Sequence, residues 1–192
     1  DYLLFLNNDT EMITETALSE LLGCCMREDV GAVGAKLLYS DDTVQHAGVV
    51  IGFGGYAGHV NMGIKRDDYG YMVRARINCN YSAVTAACMM TKKSLFEQVG
   101  GFDEQFVVAC NDVDYCLKIR ELDKWVIYNA FSEWYHYESK SRGYEDTPEK
   151  LKRFEGEVEK FQKKWPEILE KGDPFYNPNL TLDSQDFSLK RI

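Results

Sequence analysis

No pair of cysteines in this chain has Cys-x-x-Cys spacing. The six cysteines, at positions 24, 25, 79, 88, 110 and 116, fall mostly inside apolar runs. That argues against a zinc site and for buried free thiols in a reducing compartment. Long apolar runs are missing too, and nothing approaches the ~20 residues that would span a bilayer. Positive charge is in short supply: the net charge is −9. Wholesale nucleic-acid binding, which needs a basic surface to neutralise phosphates, is therefore excluded, and a polyanionic substrate would need a metal or a local basic patch. The glycine-dense stretch 52–58 lacks the GxxxxGK[ST] pattern, so it is not a phosphate-binding P-loop. There is no internal repeat, low-complexity tract or targeting segment. The chain opens without Met, inside an apolar run, which predicts that it is part of something longer.

What is present reads as one α/β domain. The 192 residues, 45% hydrophobic and 28% charged, suffice for a globular core. Residues 2–6 predict a short buried strand ending on Asn7-Asn8-Asp9. Ile13, Ala17, Leu18, Leu21, Leu22 and Cys25 recur at helical spacing, with Thr14 as a candidate cap. Further strands are expected over 30–39, 44–51, 83–91 and 125–128. Short helices should follow at 94–99, closed by Gly100-Gly101, and from Asn111 onward. Residues 52–59 read as a mobile glycine-rich loop, and the excursion to Asn80 as either a functional lid or a solvated loop. Thr147-Pro148 starts a long helix with Leu151, Phe154, Val158, Phe161 and Trp165 on one stripe, followed by an extended tail.

Three places carry candidate chemistry. Asp9 follows a strand, where an acid can be held rigidly and still face a pocket; it is a candidate oxygen ligand for a hard divalent cation, or part of an ordinary turn. Asp112 opens a helix as either a general base or a cap. His136 precedes Ser139, Ser141 and Arg142; the histidine is either a ligand or a structural residue, and Arg142 either an anion contact or half of a surface ion pair.

The order of these motifs is more specific than any one of them. The runs 83–90 (AVTAACMM), 96–104 (FEQVGGFDE), 111–120 (NDVDYCLKIR) and 136–143 (HYESKSRG) closely resemble inverting glycosyltransferases of family 2, particularly the rhamnosyltransferase-like bacterial branch that builds cell-surface polysaccharides. The resemblance implies a GT-A-like fold: a mixed sheet flanked by helices, here lacking much of the N-terminal nucleotide-binding half. Residues 1–146 would be the acceptor-side part, with 147–192 packing on the same domain. It also implies roles. Asp9 matches the metal-binding acid of the family's DxD motif, and Asn7 its first position, which contacts the donor. Asp112 matches the general base, with Asn111 replacing the usual Glu. His136 completes the metal site or meets the diphosphate, and Arg142 lies near the diphosphate. Mn²⁺ or Mg²⁺, a nucleotide-diphosphate sugar donor and a saccharide or lipid-linked acceptor are implied with them. The location would be cytoplasmic, with peripheral contact at the inner membrane face for a lipid-linked acceptor. The missing half would leave an exposed sheet edge prone to self-association and would weaken donor binding. Two rivals stay open: a nucleotidyltransferase, which would need a basic glycine-rich loop, and a non-catalytic carbohydrate-binding or assembly module, favoured by Asn7 and Asn111.

Overall fold

A computed structural model of the chain describes residues 1–137 and 147–191. Its strands are β1 (Tyr2–Leu6), β2 (Thr10–Met12), β3 (Val30–Leu38), β4 (Val44–His46), β5 (Val49–Ile51), β6 (Ala57–His59), β7 (Cys79–Tyr81), β8 (Cys88–Lys92) and β9 (Trp125–His136). Its helices are α1 (Ala17–Cys25), α2 (Lys93–Gln98), α3 (Asn111–Glu121), α4 (Pro148–Lys164) and α5 (Pro166–Lys171). The main sheet runs β1-β8-β3-β9-β2, with β4 beside β3 and β7 beside β9; β5 and β6 form a separate hairpin. Because β8 is antiparallel to both β1 and β3, and β3 is parallel to β9, strands β1, β3 and β9 point the same way. The turn carrying Asp9 and the end of β9 carrying His136 therefore lie at carboxyl ends of parallel strands.

Two apolar clusters sandwich this mixed sheet. Alternate residues of β3 face opposite ways: Val33, Ala35 and Leu37 join Ala17, Leu21 and Cys25 of α1 on one side. On the other side, Ala32 and Leu38 join α3, the β5–β6 hairpin, Phe161 of α4 and the tail residues Tyr176 and Leu180. All of β3 is buried, which accounts for its run of small and branched residues with glycines at 31 and 34. A Cβ on Gly34 would sit 2.4 Å from Val84, so only glycine fits there. Residues 147–191 pack onto the first core as part of one domain.

Several sequence expectations change. β1 has its predicted bounds but is half-exposed rather than buried, because among the described residues it pairs with β8 alone and forms the sheet edge. Thr16, not Thr14, precedes α1, and no side chain caps that helix. The strand expected over 44–51 breaks in two at Gly48, whose φ of 109° and approach to the Tyr81 ring admit no side chain. The strand expected over 83–91 begins only at Cys88; residues before it form a loop. The glycine-rich stretch 52–59 is built into the β5–β6 hairpin through a 3₁₀ turn, Phe53–Gly55. β9 is far longer than the strand expected over 125–128. At α4 the reading holds: Thr147 accepts the Lys150 N–H at 3.4 Å and proline occupies the first turn. Among the described residues no helix is long and apolar enough to cross a membrane.

Candidate active site

The turn at residues 7–9 is fastened on both sides. The Asn7 N–H donates to Ala87 O (2.9 Å), and Asp9 O accepts from Tyr137 N (2.8 Å). Pairing of Thr10 with His136 then aligns the turn with the end of β9. As a result Asp9 Oδ1 lies 3.3 Å from His136 Nε2, and Asn7 Nδ2 lies 3.1 Å from the same ring nitrogen. Residues more than 125 positions apart thus meet in one cluster. On the ring's other edge, His136 Nδ1 is 2.7 Å from Gln45 Oε1.

Asp112 comes from α3 and shares with His136 a cavity whose lining includes neither Asn7 nor Asp9. It sits in the first turn of α3, where the helix dipole favours a carboxylate. Its Oδ2 accepts the Ala86 N–H at 3.0 Å and its Oδ1 the Val113 N–H at 2.9 Å, so the loop before β8 orients it. A carboxylate has about four acceptor positions, so lone pairs remain for a further partner. The expected N-cap role goes to neither Asn111 nor Asp112: Cys110, left-handed at φ 64°, takes that position, and Asn111 Oδ1 accepts the Asp112 N–H at 2.7 Å. Asp112 and His136 both line a cavity of about 410 Å³. Its wall also includes Tyr56, His59, Thr85, Phe154 of α4 and Gln185 of the tail. Of the long excursion from Gly52 to Asn80, only the stretch between Tyr56 and Met62 reaches this cavity.

Sequence reasoning missed three residues here. Gln45 is buried against His136, and His59 gives its Nδ1 to Gln45 O at 3.1 Å. Glu157 of α4, also buried, accepts backbone N–H groups of Val107, Val108 and Ala109 at 3.1, 3.3 and 2.6 Å. It thereby holds the loop that delivers Asp112. The signal for Glu157 was a carboxylate one turn from Phe154 and Phe161 inside the apolar stripe; Gln45 and His59 had none beyond their polarity. His46 stacks edge-on against His59 at 4.9 Å and is fully buried, which pushes its pKa well below the usual imidazole value and keeps it neutral. Arg142 lies outside the described residues.

The gathered donors suit a divalent cation. Asp9 Oδ1 and His136 Nε2, 3.3 Å apart, would supply it with an oxygen and a nitrogen donor. Among the described residues no group of three or more His, Cys, Asp or Glu is placed to hold a metal. Mg²⁺ ordinarily takes one or two protein carboxylates with water and phosphate oxygens supplying the rest, and Asp9 would be the one carboxylate here. A larger cavity of about 990 Å³ opens elsewhere, beside Thr14, Glu20, Arg66, Arg76, Phe131 and Glu133. Both of its arginines already pair, Arg66 with Glu133 at 2.7 Å and Arg76 with Asp67 at 2.9 Å, and none of Asp9, Asp112 and His136 lines it.

No family model matches the chain. It is 39% identical over 195 residues to O-antigen biosynthesis protein RfbC of Myxococcus xanthus, covering all of this chain and 15% of that protein. One similar protein is thus named for polysaccharide biosynthesis. The chain is also 47% identical over 184 residues to uncharacterized protein y4gI of Sinorhizobium fredii, covering 95% of this chain and 20% of that protein. The chain spans a fifth or less of the length of these curated relatives.

Proposed function

We propose that this chain is the acceptor-side part of a GT-A-like glycosyltransferase that builds cell-surface polysaccharide, moving a sugar from a nucleotide-diphosphate donor to a saccharide or lipid-linked acceptor with inversion. The observation that carries this reading is the meeting of Asn7, Asp9 and His136 beside a cavity shared by His136 and Asp112. Likeness to a protein named for O-antigen biosynthesis supports the polysaccharide setting. The work site is the cytoplasm, at the inner membrane face where the acceptor is lipid-linked.

In this mechanism Asp112 takes the proton of an acceptor hydroxyl as its oxygen bonds to the anomeric carbon. The bond from that carbon to the donor phosphate oxygen breaks, and the nucleoside diphosphate leaves with the electron pair. Attack from the face opposite the leaving group inverts the centre. Asp9 and His136, with Asn7 beside them, would hold Mn²⁺ or Mg²⁺, which when bound offsets the charge growing on the diphosphate. Arg142 is assigned a similar electrostatic part by its place in the motif.

Sugar transfer from a panel of nucleotide-diphosphate sugars to lipid-linked saccharide, assayed with Mn²⁺ in this chain and in a longer protein carrying it, tests the reading. Asp112→Asn should abolish transfer and leave donor binding unchanged in calorimetry. Undiminished transfer by that variant would overturn the assignment. Saccharide binding with no transfer by any form favours instead the carbohydrate-binding module, to which Asn7 and Asn111 lend weight. This chain alone is expected to bind donor weakly; micromolar affinity would contradict its assignment to the acceptor side.

A further inference from the structure

The side chain and backbone of Gln45 meet the two histidines that line the cavity, and the chemistry of those contacts fixes which ring nitrogens carry protons. A backbone carbonyl can only accept, so the 3.1 Å contact between His59 Nδ1 and Gln45 O requires a hydrogen on Nδ1. The Gln45 amide is oriented by the same logic. Its Nε2 points at His136 O, 3.4 Å away, which turns Oε1 toward His136 Nδ1 at 2.7 Å. That nitrogen must donate as well. Each neutral ring therefore keeps its lone pair on Nε2. For His136 the consequence is direct: Nε2 accepts from Asn7 Nδ2 at 3.1 Å and faces Asp9 Oδ1, another acceptor, at 3.3 Å with no proton between them. That single lone pair is taken by the Asn7 N–H, and a cation beside Asp9 would take it over from Asn7.

We infer that Gln45 is a positioning residue of this site, holding His136 and His59 in the Nδ1–H form. His136 then presents Nε2 to a divalent cation beside Asp9, and His59 offers Nε2 as an acceptor for a saccharide hydroxyl. This rests on the cation-site reading above and deepens it. A ligating histidine generally depends on the partner of its other nitrogen for ring orientation and basicity, and loss of such a partner weakens metal binding 10–100-fold.

The two contacts differ in a way that makes the inference testable. His136 depends on the Gln45 side chain, whereas His59 depends on its backbone carbonyl. Nitrogen-15 NMR of the metal-free protein reads the tautomers, and the chain's three histidines can be assigned by single substitution. Gln45→Met, similar in length and without an acceptor, should switch His136 to the Nε2–H form, where it donates to Asp9. His59 should remain Nδ1–H. Mn²⁺ affinity, followed by calorimetry, should fall about 10–100-fold. Gln45→Glu, which restores an acceptor, should return His136 to Nδ1–H. Loss of both signals together would report misfolding, and the Gln45→Glu variant then decides. An Nε2–H or doubly protonated His136 in the unsubstituted protein at pH 8, or an unchanged His136 in Gln45→Met, overturns the inference. Tautomers as stated but no Mn²⁺ binding by the unsubstituted protein would uphold the role of Gln45 and sink the cation site.

Discussion

Replacing Glu157 probes the link between α4 and the loop that precedes Asp112. Its carboxylate, almost wholly buried, accepts three successive backbone N–H groups, from Val107 at 3.1 Å, Val108 at 3.3 Å and Ala109 at 2.6 Å. Hydrogen bonds to a charged group are each worth roughly 1.5–3 kcal/mol, which sets a ceiling of about 9 kcal/mol for the set. Two effects reduce it. Val107 is 69% exposed, so water can replace its acceptor. Removing the carboxylate also removes the cost of keeping a charge out of water, partly relieved here by Arg153 at 4.0 Å. For Glu157→Leu we expect a loss of about 3 kcal/mol, mostly from the Val108 and Ala109 N–H groups, and for Glu157→Gln about half of that because one acceptor oxygen stays. In a domain of this size, 3 kcal/mol corresponds to a fall of roughly 6–12 °C in Tm. Thermal and urea denaturation measure the energy, and hydrogen exchange at residues 107–112 locates it. A loss under about 0.5 kcal/mol, well below one charge-assisted hydrogen bond, or unaltered exchange at Val108 and Ala109, would refute the clamp.

Other outcomes follow from the same coordinates. The Lys164 ammonium, 2.7 Å from Asp103, holds that carboxyl down at about 2, with help from the Gln105 N–H. A depressed carboxylate stabilises the fold above its unfolded value of about 3.9, and that stability is lost as pH falls toward 2. The stability gap between the protein and Lys164→Met, read from urea midpoints, should therefore narrow as pH drops from 4 toward 2; a constant gap would contradict the pairing. Burial pushes the Cys25 thiol up to about 11 and those of Cys88 and Cys110 to about 12, so under native conditions at pH 8 iodoacetamide should label Cys24 and Cys79 first, as read by mass spectrometry. The edge of β1, unpaired among the described residues, with Leu6 exposed on it, Leu18 and Leu22 exposed on α1 and Met26 exposed just beyond that helix, should make the chain self-associate in light scattering. The double variant Leu6→Lys, Leu22→Glu should reduce this, and a monomer across a wide concentration range without those changes would contradict it.

The sequence by itself determined the local elements whose signals are short-range. A threonine–proline pair starts α4, two glycines stop α2, and a run of small and branched residues makes β3 a fully buried strand. It also marked Asp9, Asp112 and His136 as places to look, through the residues next to each. Only the tertiary structure decided what these side chains touch. Gln45 meets His136 across 91 residues, and Asn7 meets it across 129. Periodicity reports which face of an element is buried, but not which distant residue lies opposite, because that depends on sheet order and strand register. The same limit explains the misplaced strand breaks. At Gly48 the backbone turns because the Tyr81 ring, 33 positions further on, fills the space a side chain would need. The part of α4 in holding the Asp112 loop is of this kind as well: a glutamate in an apolar stripe looks like a flaw until the fold supplies the three N–H groups it was buried to receive.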